Sequence, residues 1–295
     1  MKIVIAAASG NIGRRTAAKI TQAGVETVLL TRQPAKLSEL VAQGAFVQPI
    51  SSDDAQGLIE ATQHADALFW LTPPKLDAPS LSDWYFQTAT AGAKAVRENG
   101  IRRVVNISSL GAGAKPNLST VSFVSTVESI FNQTDANVLH LRPGYFMENF
   151  LAQVDVIRDD RTVQLPYAID HDIPWISTDD IGDVAAQYLL DDRWAGQWTR
   201  NLMGPENLTM AEVTAILSDV FDCSIDYVQV SIESMQQRLG ALGATSDVQQ
   251  EMGTLFRTLS DPDGVYATAR TPEAMTPTTF EQFARNKLLS IRSPH

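Results

Sequence analysis

The sequence predicts an α/β fold built on a doubly wound parallel sheet, with a smaller α+β region after it. Three observations carry that expectation. Short apolar runs alternate with helical patterns through the first half of the chain. The runs are apolar along their whole length, as in Ala67–Leu71, which is how strands covered on both faces read. A glycine pair, Gly10 and Gly13, stands between the first run and the first helical pattern.

Lys2–Ala7 reads as a buried strand and Asn11–Ala23 as a helix that stops at Gly24, with Ile12, Thr16 and Ile20 on one face. Thr27–Thr31 is a second strand, Phe46–Ile50 a weak third and Ala67–Leu71 a fourth. Asp83–Asn99 is a long helix closed by Gly100. Arg103–Ile107, the helix Thr120–Asn132 and the strand Val138–Leu141 complete the alternating series. Later, Thr178 and Asp179 stand as caps before a helical stripe of Ile181, Val184, Ala185, Tyr188 and Leu189. Thr209–Phe221 is a helix with Thr209 as cap and Glu212 at the capping-box position. Ile225–Val230 alternates as a strand, 231–258 reads as two helices broken near 240–245, and Phe280–Leu289 is a terminal helix.

Bulk properties narrow the function classes. With 44% hydrophobic and 19% charged residues in 295, the chain has the balance of a globular protein. Its net charge of −11 repels phosphate backbones, and Arg14-Arg15 and Arg102-Arg103 are its basic pairs, so no nucleic-acid partner is expected. No apolar run approaches the roughly 20 residues that cross a bilayer. The apolar start is too short for a signal peptide, so no membrane association and a cytoplasmic location are expected. Cys223, the single cysteine, reads as a small buried apolar residue. His64, His140, His171 and His295 show no metal-ligand spacing, and no metal is expected.

The segment Ala7-Ala8-Ser9-Gly10-Asn11-Ile12-Gly13 carries the main functional signal. In a Rossmann-type corner Gly10 lets backbone approach a diphosphate, and Gly13 lets the helix lie against the strand. Ala8, Ser9, Gly10, Asn11, Ile12 and Gly13 are therefore the expected phosphate-binding residues of a nicotinamide dinucleotide site. About 20 residues further on, an NAD-specific site places a carboxylate for the ribose. Here that place holds Arg32, followed by Lys36. A guanidinium pairs with a 2′-phosphate where a carboxylate would repel it, so NADP(H) is expected over NAD(H). Ligands of such sheets sit beyond the carboxyl ends of the strands. Asp53 is thus a candidate for the adenine amino group, Thr72 and Pro73 for the adenosine and ribose, and Ser108 and the loop from Leu110 for the nicotinamide end. Residues 1–150 are expected to form the dinucleotide-binding domain. Residues 151–295 would pack on it and shape a substrate pocket, with the strand and helix near 174–202 returning to the first domain.

Several further segments carry a family resemblance: Thr31-Arg32-Gln33-Pro34, Ile107-Ser108-Ser109-Leu110-Gly111-Ala112, the run Leu141–Asn149, Ile176–Ile181 and Gly204–Thr209. Together with the glycine loop they resemble the NmrA-like branch of atypical short-chain dehydrogenases/reductases, over nearly the whole chain. The resemblance implies that Tyr145, Phe146 and Asn149, with Leu110 nearby, line the substrate pocket. It implies an NADPH-dependent reductase of quinones or similar dyes, acting on a small planar organic acceptor. It implies as the alternative a non-catalytic, redox-sensing regulator that binds NAD(P) and docks to a protein partner; a homodimer is also compatible. Two departures stand out: Ala7 replaces the first glycine of the loop, and Val124 stands where the family often has a lysine, four residues before Glu128.

The spacing Tyr-x-x-x-Lys, in which an ammonium lowers the phenol pKa, is absent. Ala89, Asn149, His171, Asp192, Ser231 and Arg270 stand four residues after Tyr85, Tyr145, Tyr167, Tyr188, Tyr227 and Tyr266. Ordinary ketone reduction is therefore disfavoured. A quinone stabilises its own anion and a cationic dye quenches its own charge, so both need positioning more than an acid. Trp70, Trp84, Tyr85, Tyr145, Phe146 and Trp175 are aromatic candidates for flat contacts, with core packing the competing reading.

Overall fold

The computed structural model describes residues 1–291; His295 lies outside the described residues. The first half comprises β1 (Lys2–Ile5), α1 (Asn11–Gln22), β2 (Glu26–Leu30), α2 (Ser38–Ala42), β3 (Phe46–Gln48), α3 (Ala55–Ala61), β4 (Ala67–Trp70), α4 (Leu81–Asn99), β5 (Arg103–Ile107), α5 (Thr120–Phe131) and β6 (Asn137–Pro143). Then follow β7 (Tyr145–Phe146), α6 (Val154–Asp159), β8 (Thr162–Leu165), β9 (Ile173–Ile176), α7 (Thr178–Leu190) and β10 (Gln197–Leu202). The chain continues through β11 (Asn207–Leu208), α8 (Met210–Phe221), β12 (Asp226–Gln229), α9 (Ile232–Ala241), α10 (Ser246–Leu259) and α11 (Phe280–Phe283).

The main sheet has seven strands in the order β10-β6-β5-β4-β1-β2-β3, and every pairing in it is parallel. Strand order reverses between β1 and β4, so a crevice opens beyond their carboxyl ends. Apolar side chains cover both faces: Val4, Leu68, Trp70 and Val104 on one, Ile3, Ile5, Phe69 and Leu139 on the other. A third core, around Phe150, Trp175, Met210 and Phe280, holds the later elements together. There β9 lies between β11 and β7, and β12 pairs with β8. Among the described residues no helix is long and apolar enough to cross a membrane.

Two close approaches join the halves. Helix α7 packs on α1, where a Cβ on Gly182 would lie 2.7 Å from the Arg15 side chain and 3.1 Å from the Ile12 carbonyl. Arg15 then pairs with Asp183 through two bonds of 2.6 and 2.7 Å. At the end of β6, a side chain on Gly144 would collide with the Pro174 carbonyl, which lets β7 lie against β9.

Several boundaries differ from the sequence expectations for identifiable reasons. Strand β1 stops at Ile5, short of Ala7, because Ala7 turns left-handed (φ 51°). Helix α4 starts at Leu81 because Ser80 caps it, accepting from the Asp83 amide. Helix α7 is capped by Ser177, not by Thr178 or Asp179. Thr178 is already helical, and its amide donates to the buried Glu148 carboxylate at 2.9 Å. Thr209 and Glu212 do form a capping box on α8. The terminal helix is α only to Phe283 and widens into a π turn over Ala284–Leu288. Cys223 is half-buried rather than buried, lying against the third core.

A buried polar chain crosses the sheet. Asn106 Nδ2 donates to His140 Nδ1 at 3.0 Å, and His140 Nε2 donates to Asn132 Oδ1 at 3.0 Å. Burial pushes the imidazole down to about 4, with Glu128 and Arg142 acting in opposite senses. An unfolded histidine protonates near 6.5. Between these values the unfolded chain therefore binds the proton and the folded chain does not, so stability falls as pH drops from about 6.5 toward 4. In urea unfolding, His140→Asn should narrow the stability gap between pH 7.5 and pH 5 by about 2 kcal/mol. An unchanged gap would contradict this assignment.

Candidate functional site

The site begins where β1 runs out. The Ala6 amide donates to the Phe69 carbonyl at 3.0 Å and the Ala8 amide to the Leu30 carbonyl at 3.1 Å, so the loop is stitched to β4 and β2. Between them Ala7 sits at φ 51°, a conformation that costs an L-residue roughly 1–2 kcal/mol. The Gly10 amide closes the turn on the Ala7 carbonyl at 3.1 Å. The two glycines have different reasons. A Cβ on Gly13 would meet the Ala7 carbonyl oxygen at 2.5 Å and Ala8 Cα at 3.0 Å, a backbone contact that cannot yield. A Cβ on Gly10 would meet nothing closer than 3.5 Å, and its φ of −78° suits any residue. Packing thus demands Gly13 alone; Gly10 leaves space in front of the helix.

That space is the floor of a cleft of about 350 Å³. Ser9, Gly10, Asn11, Ile12 and Gly13 line the floor. The first turn of α1 has no side-chain cap and no acidic residue, so its amides face the cleft unopposed by a carboxylate. Arg32, Lys36, Ser51 and Ser52 stand at one end, and Pro73, Pro74, Trp84, Phe146 and Thr178 are among the other walls. Arg32 and Lys36 are exposed, and neither forms a salt bridge among the described residues; Arg14 nearby pairs with Glu39 at 3.2 Å. A chain with net charge −11 thus keeps two uncommitted cations at one end of its cleft.

Of the site and aromatic candidates singled out from sequence, Ser9, Gly10, Asn11, Ile12, Gly13, Arg32, Lys36, Pro73, Trp84 and Phe146 line this cleft, and the other candidates sit elsewhere. The Ala8 side chain is buried in the core. Asp53 is exposed beside the cleft and accepts from Ser51 Oγ, while Asp54, not Asp53, caps α3. Thr72 is buried, its hydroxyl between Trp70 Nε1 at 3.3 Å and Thr88 Oγ1 at 3.5 Å. Ser108 is buried with its Oγ directed at Glu128, without a hydrogen bond of regular geometry. Leu110 packs in the third core. Successive residues of a strand face opposite ways, so Phe146 reaches the cleft while Tyr145 turns toward Trp175 and the third core. Asn149 is exposed on the following 3₁₀ turn. Trp70 and Trp175 are fully buried and Tyr85 is buried, which is the core-packing alternative.

Sequence reading assigned no site role to two wall residues, Thr31 and Thr178, and gave Trp84 only as one of six aromatic candidates. Thr31 accepts from the Gln33 amide at 2.9 Å and donates to Ser9 Oγ at 2.8 Å, tying the end of β2 to the glycine loop. Trp84 Nε1 donates to the Pro73 carbonyl at 2.8 Å, which holds the Pro73–Pro74 wall against α4. Thr178 stands in the Ser-Thr-Asp-Asp segment, where the capping pattern masked its position on the cleft wall.

Behind the end of β6, Glu128 on α5 receives Arg142 Nε at 2.8 Å and Nη2 at 2.6 Å. Burial alone raises the Glu128 carboxyl, but the paired bonds from Arg142 oppose it, and the carboxyl is held below the usual carboxylate range. Val124, one turn earlier, packs into the first core. Among the described residues no cluster of histidine, cysteine or carboxylate side chains suits a metal ion.

Comparison with known proteins gives a consistent picture. The profile of the NmrA-like family matches residues 1–284. The NAD(P)H azoreductase of Xenophilus azovorans is 26% identical over 288 residues, covering 96% of each chain. The Escherichia coli NADPH-dependent quinone oxidoreductase QOR2 superposes with a TM-score of 0.75 at 19% identity, over 95% of this chain and 97% of its own. NmrA, a negative transcriptional regulator solved with NADP, gives 0.76 at 15% identity, over 98% of this chain and 95% of its own. These structural likenesses establish the shared fold.

The loop geometry yields opposite outcomes for two substitutions. Ala7→Gly should raise unfolding stability by about 1 kcal/mol by relieving the left-handed alanine. Gly13→Ala should lower it by roughly 1–3 kcal/mol, because the new methyl meets backbone. Urea denaturation of both variants checks the pair; a destabilised Ala7→Gly or an unaffected Gly13→Ala contradicts the described turn.

Proposed function

Since the chain belongs to the NmrA-like family, we propose that it is an NAD(P)H-dependent reductase that delivers hydride to a quinone or similar planar acceptor, with NADPH preferred. The observation that carries this reading is the charge layout of the cleft. Two cations without a salt-bridge partner among the described residues stand at one end, uncapped helix amides form the middle, and Phe146 with Thr178 closes a wall. A dinucleotide with a 2′-phosphate has the matching sequence of charge.

The parts divide as follows. The bound nicotinamide supplies the hydride. Arg32 and Lys36 hold the 2′-phosphate by charge-assisted hydrogen bonds. The amides of the first turn of α1 receive the diphosphate. Pro73, Trp84 and Phe146 give apolar walls that exclude water and orient the ring. The expected acceptor is neutral or cationic, planar, and able to stabilise or lose the charge left by hydride transfer.

Rates of NADPH oxidation against a panel of quinones and azo dyes test the reading; tight NADPH binding without turnover of any acceptor would defeat it. Arg32→Ala should weaken NADPH about tenfold or more while leaving NADH nearly unchanged. Equal losses for the two nucleotides would show that Arg32 does not read the 2′-phosphate. The absent Tyr-x-x-x-Lys spacing favours a second reading, a regulator that binds NAD(P) and docks to a protein partner. It predicts a partner whose capture depends on the redox state of the nucleotide.

A further inference from the structure

One wall of the cleft has no regular structure of its own. Between β4 and α4 the chain runs from Leu71 to Ser80 as a loop, and its Pro73 and Pro74 line the cleft. Pro73, Pro74 and Pro79 carry no amide proton, so this loop has few means of fixing its own place. Internally, the Ala78 amide reaches the Lys75 carbonyl at 3.3 Å. On one side the loop fastens to Trp84, which also lines the cleft. The indole Nε1 donates to the Pro73 carbonyl at 2.8 Å, and the Lys75 ammonium stands 4.5 Å from the ring centroid.

The other fastening comes from far along the chain, at the break between α9 and α10. The Thr245 amide donates to the Leu76 carbonyl at 2.9 Å, and Thr245 Oγ1 donates to the Ala78 carbonyl at 2.7 Å. Asp247, 166 residues from its partner, accepts from the Leu81 amide at 2.7 Å. A carboxylate on a backbone amide is a charge-assisted bond, stronger than a neutral one. Asp247 forms no salt bridge among the described residues. The Thr245 hydroxyl has a second task, since it accepts from the Val248 amide at 3.3 Å and caps α10. Ala78 and Leu81 are buried in the first core together with Ala244 and Val248, so packing supports the same contact. Leu239 on α9 and Met252 on α10 touch both the first and the third core. The helix pair α9–α10 thus ties the later core to the loop behind the cleft wall.

We propose that Thr245 and Asp247 are positioning residues for the nucleotide. They hold the loop after β4 so that Pro73, Pro74 and Trp84 form a wall against the part of the dinucleotide that NADH and NADPH share. The inference rests on the reading of the cleft as a nicotinamide dinucleotide site. Neither Thr245 nor Asp247 lines the cleft, so each acts through the loop. With a bond removed, the loop occupies its binding position for a smaller fraction of the time, and the apparent affinity falls by that fraction. The loss is common to both nucleotides, unlike the loss from Arg32→Ala.

Calorimetric titration of the full chain with NADPH and with NADH tests this. Asp247→Ala should weaken both nucleotides about threefold to tenfold, with the ratio of their affinities kept. Asp247→Asn should restore most of the affinity, because its amide oxygen still accepts from Leu81. Both variants remove the same charge, so the difference between them reads the bond. Thr245→Val should act in the same direction and Thr245→Ser should restore binding, which keeps the test decisive if Asp247→Ala does not fold. Amide hydrogen exchange at residues 76–81, measured without nucleotide, should quicken in the alanine and valine variants. Folded variants with unchanged affinity or unchanged exchange would overturn the inference, as would a loss confined to NADPH or an asparagine variant as weak as the alanine one. Wild-type protein that binds neither nucleotide would instead defeat the dinucleotide reading, and this inference with it.

Discussion

A backbone-to-backbone contact organises this molecule. At Gly13 the first helix rests on the carbonyl of Ala7, at a distance that leaves no room for one methyl group. The contact fixes where α1 begins and which way its amides face. It also demands a sharp turn after β1, and the chain makes that turn with an alanine in a left-handed conformation. Strain of this kind persists only when surrounding structure over-determines it. Here the surroundings are the amide bonds of Ala6 and Ala8 to neighbouring strands and the closure from Gly10.

The second half of the chain depends on the same helix. Gly182 lets α7 settle against α1, and the Arg15–Asp183 pair fixes their register. Strand β10 then extends the sheet beside β6. At the start of α7, Ser177 caps the helix and Glu148 holds the Thr178 amide, which sets Thr178 on the cleft wall near Phe146. The floor and most of the walls therefore come from the first half of the chain, and the second half adds Thr178 at the start of α7.

Much of this was legible in the residues, and the exceptions have physical causes. The strands covered on both faces announce themselves by continuous apolar runs. The Gly100 stop of α4, the capping box of α8 and the glycine stop of α1 are local signals, accurate to a few residues. By contrast, β10 reads Gln-Trp-Thr-Arg-Asn-Leu, since an edge strand carries polar residues, and β9 contains a proline. Side-chain direction was harder still. Thr72 and Ser108 stand at strand ends as the cleft requires, yet both side chains are buried beside their own elements. Tyr145 and Phe146 are adjacent in sequence but face opposite ways, which depends on a strand too short to show a period. Trp84 lies on α4, away from the strand ends, and stands on the cleft wall with its indole bonded to the Pro73 carbonyl.

The most direct measurement is a crystal structure grown with NADP⁺. The account predicts the diphosphate on the amides at the start of α1, the 2′-phosphate against Arg32 and Lys36, and the nicotinamide beside Phe146. A nucleotide bound in another cavity, or one lying in this cleft with its 2′-phosphate in solvent and Arg32 turned away, would contradict it.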